Sequence, residues 1–324
     1  MSEKTAFELV NTQGEVAIDH NYTSQSFWKD VVSRFKKNKG AVVGGILIII
    51  IVSLALIGPL MNDYLFDNVH VAHQNLPPRI GSMGGSERGV YKYTGEKADV
   101  FYWFGTDTFG RDLWTRTWEG TRISLFIAFI AVLIDMAIGM GYGMISGYYG
   151  GAVDNVMQRF VEIINGIPTL IIVTLLMMVF KPGLKSIIWA LMITGWIGMS
   201  RVARAQMLKL KEQEFVLASR TLGAGNFAII FKEVLPNIFG QLITMSMFSI
   251  PSAIFSEAFL SFVGLGVPTP LASLGSLIND GYKSFLTHPY QLVFPAVVLG
   301  LLMLSFNLLA DGLRDAFDPK MQDM

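Results

Sequence analysis

Cysteine is absent from this 324-residue chain. That excludes disulfides, thiolate metal sites and cysteine nucleophiles, and it leaves the redox compartment unreadable. Charge is scarce: 15% of residues are Asp, Glu, Lys or Arg, where soluble domains carry about 25%. Net charge is zero, which argues against a nucleic-acid partner. No G-x-x-x-x-G-K-[ST] occurs, so the chain has no P-loop with which to bind and hydrolyse ATP. HExxH and GxSxG are missing too, and no catalytic residue is assigned. No short apolar core lies near the start, as a cleavable signal would need. The first apolar run begins only after Lys39, so the first span reads as a retained anchor.

What the chain has is apolar length. Hydrophobic residues make up 52%. Ala41 to Leu60 contains no charge, and at about 1.5 Å per residue it reaches across roughly 30 Å of hydrocarbon. Further spans are expected at about 123–146, 161–180, 186–200, 238–263 and 292–310. Six spans define an all-α integral membrane protein. The third and fourth are separated only by Lys181-Pro182-Gly183, which suits a tight turn. The expected organisation is an N-terminal segment 1–39, a first span 40–61, a polar loop 62–120, a five-helix core 121–311 with an insert at 201–236, and a tail 312–324.

Basic residues near the span ends set the orientation. Arg34, Lys36, Lys37 and Lys39 precede the first span. Arg201, Arg204, Lys209, Lys211, Arg220 and Lys232 lie between the fourth and fifth, and Arg314 and Lys320 follow the sixth. The short loops of the other face hold only Lys181, Lys185 and Lys283. Both termini and the 201–236 insert are therefore expected in the cytoplasm, with loop 62–120 outside. Asn21-Tyr22-Thr23 fits a glycosylation acceptor but falls on the cytoplasmic side and is discounted.

The insert is the most informative stretch. Met207 to Arg220 is expected to be helical, with Phe215, Ser219 and Leu222 on one narrow face. Gly223 and Gly225 break it, Asn226 is a candidate cap for a second short helix, and Pro236 marks the return to the membrane. A plain connector has little need of this much amphipathic helix. A docking surface for another protein does.

From Leu217 to Pro236 the insert resembles the cytoplasmic "EAA" loop of bacterial ABC importer permeases: Glu-Ala-Ala, three residues, Gly, nine residues, Ile-x-Leu-Pro. Gly223, Leu235 and Pro236 match; Leu217-Ala218-Ser219 and Glu233 depart. The resemblance implies a coupling helix, and Glu214, Phe215, Leu217, Ala218, Ser219, Leu222, Gly223 and Ala224 become candidates for docking an ATPase. Glu214, one turn before Leu217, is the candidate replacement for the missing acid.

A second match is more specific. Gly105, Thr106, Asp107, Gly110, Arg111 and Asp112 are similar to the Gly-Thr-Asp-x-x-Gly-Arg-Asp segment of permeases of the oligopeptide, dipeptide and nickel group. Gly147-Tyr148-Tyr149-Gly150-Gly151 with Asp154, Phe259–Pro268 and Asn307–Pro319 extend the likeness, which covers nearly everything after Trp28. It points to the C-type subunit of a type I importer. The resemblance implies a heterodimer with a homologous B-type permease and two cytoplasmic ATPase subunits carrying ATP and Mg. It also implies an extracytoplasmic substrate-binding lipoprotein and a place in the bacterial plasma membrane, with no cofactor held by this chain. The expected cargo is a short peptide, with nickel or another small solute as the alternative.

Other residues keep two readings. Asp107, Arg111 and Asp112 are expected to form an ion-pair cluster that holds the outer loop, rather than to touch peptide. Gly139, Gly143 and Gly147 recur every four residues and suit close helix packing, within the chain or against a partner. Asp135, mid-span, marks either a pathway or interface, or a structural hydrogen bond; Glu257 raises the same question. His70 and His73 lack a clear third ligand, so no metal site is assigned. Pro168, Pro251 and Pro295 fall within spans and suit kinks. An ion-coupled secondary carrier would use Asp135 as an ion site, but no internal repeat of the kind such carriers show is visible. A membrane-anchored receptor would explain the outer loop, yet would not need six spans.

Overall fold

The computed structural model describes residues 27–79, 100–181 and 183–317. Asn21-Tyr22-Thr23, Pro182, Pro319 and Lys320 lie outside the described residues, as does most of the N-terminal segment 1–39.

Helix α1 (Phe27–Lys37) leads into α2 (Lys39–Ile57) through Asn38. Asn38 is extended, and its side chain accepts from the Ala41 N–H at 3.1 Å, satisfying one of the orphan donors of a helix start. Its amide also donates to Asp315 at 2.9 Å, tying the first span to the last helix. Beyond Lys39, α2 is apolar all round. Ala41, Gly44, Ile51 and Ala55 face protein while Ile49 and Leu56 stay exposed, as lipid-facing positions do.

Helix α3 (Leu113–Ile134), a π-helical turn Asp135–Gly139 and α4 (Met140–Tyr149) form one 37-residue rod. Asp112 caps it: the side chain accepts from the Thr115 N–H at 2.8 Å. The rod therefore starts before Gly120, where the sequence placed the end of the loop. Next come α5 (Gly151–Asn165) and α6 (Thr169–Phe180), bent 78° to each other. Pro168 sits at the bend as the cap of α6 rather than inside a helix. α7 (Leu184–Thr194) and α8 (Trp196–Leu210) make a 27-residue rod. It stops at Leu210, so the single helix expected over 207–220 is two. The second is α9 (Glu214–Thr221).

From Asn226 the chain is helical for 40 residues: α10 (Asn226–Ala228), a π turn Ile229–Val234, α11 (Leu235–Leu260) and a π turn Ser261–Leu265. Pro236 lies in the first turn of α11, directly after the π turn Ile229–Val234, and the helical run continues through the expected re-entry point. α12 (Leu274–Lys283) has no counterpart among the expected spans; Ser273 and Ser276 cap it reciprocally. The last helix is α13 (Tyr290–Phe317). Among the described residues, five helices are long and apolar enough to span a bilayer, six if α5 and α6 make one broken span.

Gly139, Gly143 and Gly147 face α8 of the same chain. A Cβ on Gly139 would sit 2.6 Å from the Trp196 carbonyl oxygen, and one on Gly147 2.8 Å from that of Arg204; Gly143 abuts the Ser200 carbonyl. The main core, around Ile127, Ile187, Ile254 and Leu302, joins α3, α7, α11 and α13. A second, around Met144, Met207, Val216, Ile229, Ile238 and Leu242, lies beneath α9.

Candidate functional site

Three clusters matter. The first closes the loop end of the bundle. Asp107 Oδ2 accepts from Arg111 Nε at 2.7 Å, and Arg116 Nε lies 3.6 Å from the same oxygen. Asp107 Oδ1 accepts from the N–H groups of Phe109 and Arg111 at 2.8 and 2.9 Å. Asp112 does not join the expected ion-pair cluster. Its Oδ2 serves as the cap of α3 and also accepts from Asn62 at 2.9 Å. Burial pushes its carboxyl up from the ordinary carboxylate range, while hydrogen bonds from Thr115 and Asn62 pull it back. Gly105 and Gly110 both hold positive φ, and a Cβ on Gly110 would collide with the His70 carbonyl. Thr106 exchanges hydrogen bonds with Leu76, and its carbonyl accepts from Gln291 at 3.0 Å. The motif thus clasps the loop, α3 and α13. His73 Nδ1 lies 2.7 Å from the Tyr102 hydroxyl.

The second cluster is the pair of buried acids. Glu257 is fully buried, accepting from Ser124 and Ser261, each at 2.7 Å. Ser273 donates to Ser261 at 3.1 Å, and the Leu274 N–H donates to Ser124 at 3.2 Å. Glu257 therefore knots α3, α11 and α12 together. Asp135 is also buried, but its Oδ1 has no hydrogen-bond partner. It opens the π turn that joins α3 to α4 and stands against Gly195, the junction of α7 and α8.

The third cluster is the helical knob. Only Val216 of α9 is buried. Glu214, Phe215, Leu217, Ala218 and Leu222 are exposed, Ser219 and Ala224 half-buried, and Leu222 is 88% exposed. Gly223, at φ 87°, ends the turn with open space around it. Asn226 does not cap the next helix. Gly225 holds that position, and Asn226 Oδ1 accepts from the Tyr148 hydroxyl at 2.9 Å. Arg220 stacks over the Tyr148 ring at 5.7 Å. Phe227, 74% exposed, continues the apolar surface.

Beneath the knob, Arg204 of α8 grips Asp154 of α5, with Nε to Oδ1 at 2.6 Å, and Lys211 donates to the Gly147 carbonyl at 3.0 Å. Ser146 donates to the same carboxylate, and Gln158 donates to Ser146 at 3.0 Å. Sequence reasoning missed Val216, Arg204 and Gln158. The pairing of Arg204 with Asp154 crosses 50 positions and has no local signature.

A bundle of long apolar helices with a small exposed helical knob between two of them defines a multi-pass membrane protein of the type I importer permease fold. In keeping with this, it superposes on the MetNI methionine ABC transporter in an inward-facing form with a TM-score of 0.51, 18% identity, 61% of this chain and 95% of that one. Residues 139–323 match the family described as binding-protein-dependent transport system inner membrane component. Residues 26–78 match the N-terminal TM domain of oligopeptide transport permease C. The chain belongs to this permease family, in its C-type oligopeptide and dipeptide group. It is similar to the oligopeptide transport system permease protein OppC of Bacillus subtilis (strain 168), at 43% identity over 98% of both chains. Likeness to the dipeptide transport system permease protein DppC of the same organism is 45%, over 92% of this chain and 88% of that one. The OppC of Escherichia coli (strain K12) shares 35% over 99% of each.

Proposed function

We propose that this chain is a transmembrane permease subunit of an ATP-driven importer for short peptides. It forms half of the translocation pathway and takes its energy from separate ATPase subunits. The relatives named above support the cargo class. The observation that carries the coupling is the knob: Val216 anchors it in the second core, while Leu217, Leu222 and Phe227 are left exposed beside Glu214. Exposed apolar residues ringed by charge on a short ordered helix suit a groove on a partner.

In this reading the knob, both termini and the Lys/Arg-rich ends face the cytoplasm, and the Asp107 clasp faces outward in a bacterial plasma membrane. A homologous B-type permease completes the pathway, two ATPases bind ATP and Mg, and a lipoprotein delivers peptide at the outer mouth. Movement of the ATPases pushes α9. The push passes through Val216, through Tyr148 and Asn226 to α4, and through the Arg204–Asp154 pair to α8 and α5.

The test is co-purification with the ATPase subunits. Replacing 215–225 with a Gly/Ser linker is expected to abolish it, and Glu214→Ala to weaken it. Full recovery of ATPase with the linker variant contradicts the assignment of the knob.

A further inference from the structure

Asp135 carries an observation that transport by itself does not use. The residue is 6% exposed, and its buried Oδ1, packed against Gly195, has no hydrogen-bond partner. It lines a cavity of about 260 Å³ together with Thr169, Thr194, Ser249, Ser252 and Ser256. A carboxylate with an unmatched oxygen in an apolar span is costly, and a positively charged ligand in the cavity beside it would offset that cost.

The hydroxyls narrow the ligand. Thr194 donates to the Ala190 carbonyl at 3.4 Å, Ser249 to Met245 at 3.1 Å, Ser252 to Phe248 at 3.2 Å and Ser256 to Ser252 at 2.8 Å. Each hydroxyl hydrogen is thus directed along its own helix, and each oxygen keeps a lone pair for the cavity. Apart from the Thr169 hydroxyl, the polar wall accepts hydrogen bonds and carries one acidic group, so it fits a positively charged N–H donor. Among the described residues no group of three His, Cys, Asp or Glu gathers there to hold a metal. One carboxylate with a few hydroxyls is a poor cage for a divalent ion. Ser249, Ser252 and Ser256 follow one another along α11, giving successive equivalent acceptors, which suits a group that moves rather than a fixed side chain of a partner.

We infer that this cavity binds the protonated amine of the peptide in transit, with Asp135 as its counter-charge. This rests on the peptide-import reading and names the part of the cargo that the permease holds. A free inorganic cation shares the chemistry, and the test separates the two.

The absence of cysteine supplies the tool. Ser252→Cys places one thiol on the cavity wall, read as a mass shift of this chain within the assembled complex in vesicles. Its reaction rate is compared for a methanethiosulfonate bearing an ammonium and one bearing a sulfonate. Adding Asp135→Asn is expected to lower the ammonium-to-sulfonate ratio at least about tenfold, a lower bound for one charge within roughly 10 Å at an effective dielectric of about 20. Asp135→Glu is expected to retain the ratio, which guards against misfolding of the Asn variant. Trialanine is expected to protect the thiol, while N-acetyl-trialanine and sodium or potassium chloride do not. An unchanged ratio, equal protection by the acetylated peptide, or protection by salt alone overturns the inference. ATP-driven uptake of trialanine by the unsubstituted assembly tests the import reading separately. Transport without amine-selective protection removes this inference and leaves that reading standing.

Discussion

Glu257 and Asp135 are carboxylates of similar burial in long apolar helices, yet one is surrounded by donors and the other faces a cavity. Ser124 and Ser261 donate to Glu257, and Ser273 and the Leu274 backbone close the network around it. Asp135 leaves an oxygen unmatched against Gly195, beside a small cavity. The two sites teach that burial of an acid within a span does not by itself mark function. What differs between these two is the surroundings: Glu257 is held by donors from three elements, whereas Asp135 has one unmatched oxygen and borders a cavity.

The largest expected effect tests that difference directly. Glu257→Leu leaves two buried serine hydroxyls without an acceptor, each worth about 1–3 kcal/mol. Asp135→Leu removes an oxygen that had no partner. The first variant should melt well below the parent in detergent and the second at or above it; the reverse order breaks the comparison.

Next in size is the glycine row. Gly143→Leu drives a side chain into the Ser200 carbonyl and should cost at least about 1–3 kcal/mol, whereas Gly141→Leu, with nothing within 4 Å of its Cβ position, should be tolerated. Equal melting of the two would show that α4 and α8 do not pack as described. Asp154→Asn weakens a pair that is partly open to water, and a loss of about 1–2 kcal/mol is expected, between exposed and buried ion pairs. Its sharper consequence is uncoupling: ATP hydrolysis by the assembly should fall less than peptide uptake. The smallest effect is Asn38→Ala, which removes the α2 cap for about 1 kcal/mol. It sets the scale for a polar contact at the rim, against which the two interior acids are judged.

Much of the fold was legible because bilayer thickness imposes a length on apolar runs. The helices at Lys39–Leu60 and Tyr290–Phe317 contain the runs expected at 41–60 and 292–310. The rods overshoot those runs because caps such as Asp112 lie outside the hydrocarbon-length window that hydropathy reads. The bend at Pro168 was visible as a proline in a span, but its angle depends on what α5 and α6 pack against. α12 went unread because Leu274, Leu277 and Gly281 are too few to raise a periodic signal above the loop around them. The knob showed in the Gly223 and Pro236 spacing. Its anchor Val216 and its contact to Tyr148 did not, since both depend on tertiary neighbours. The contrast between the two acids was equally hidden: donors to Glu257 come from residues 4 and 133 positions away.

The central claim is that force from an ATP-consuming partner enters this chain through α9. Reconstitute the full assembly in proteoliposomes, with Leu217→Asp and Leu222→Asp together in the exposed face of the knob and Val216 untouched. The account predicts a folded chain that melts like the parent, no longer retains the ATPases, and shows no ATP-dependent peptide uptake. Uptake at the parental rate by that variant would contradict it.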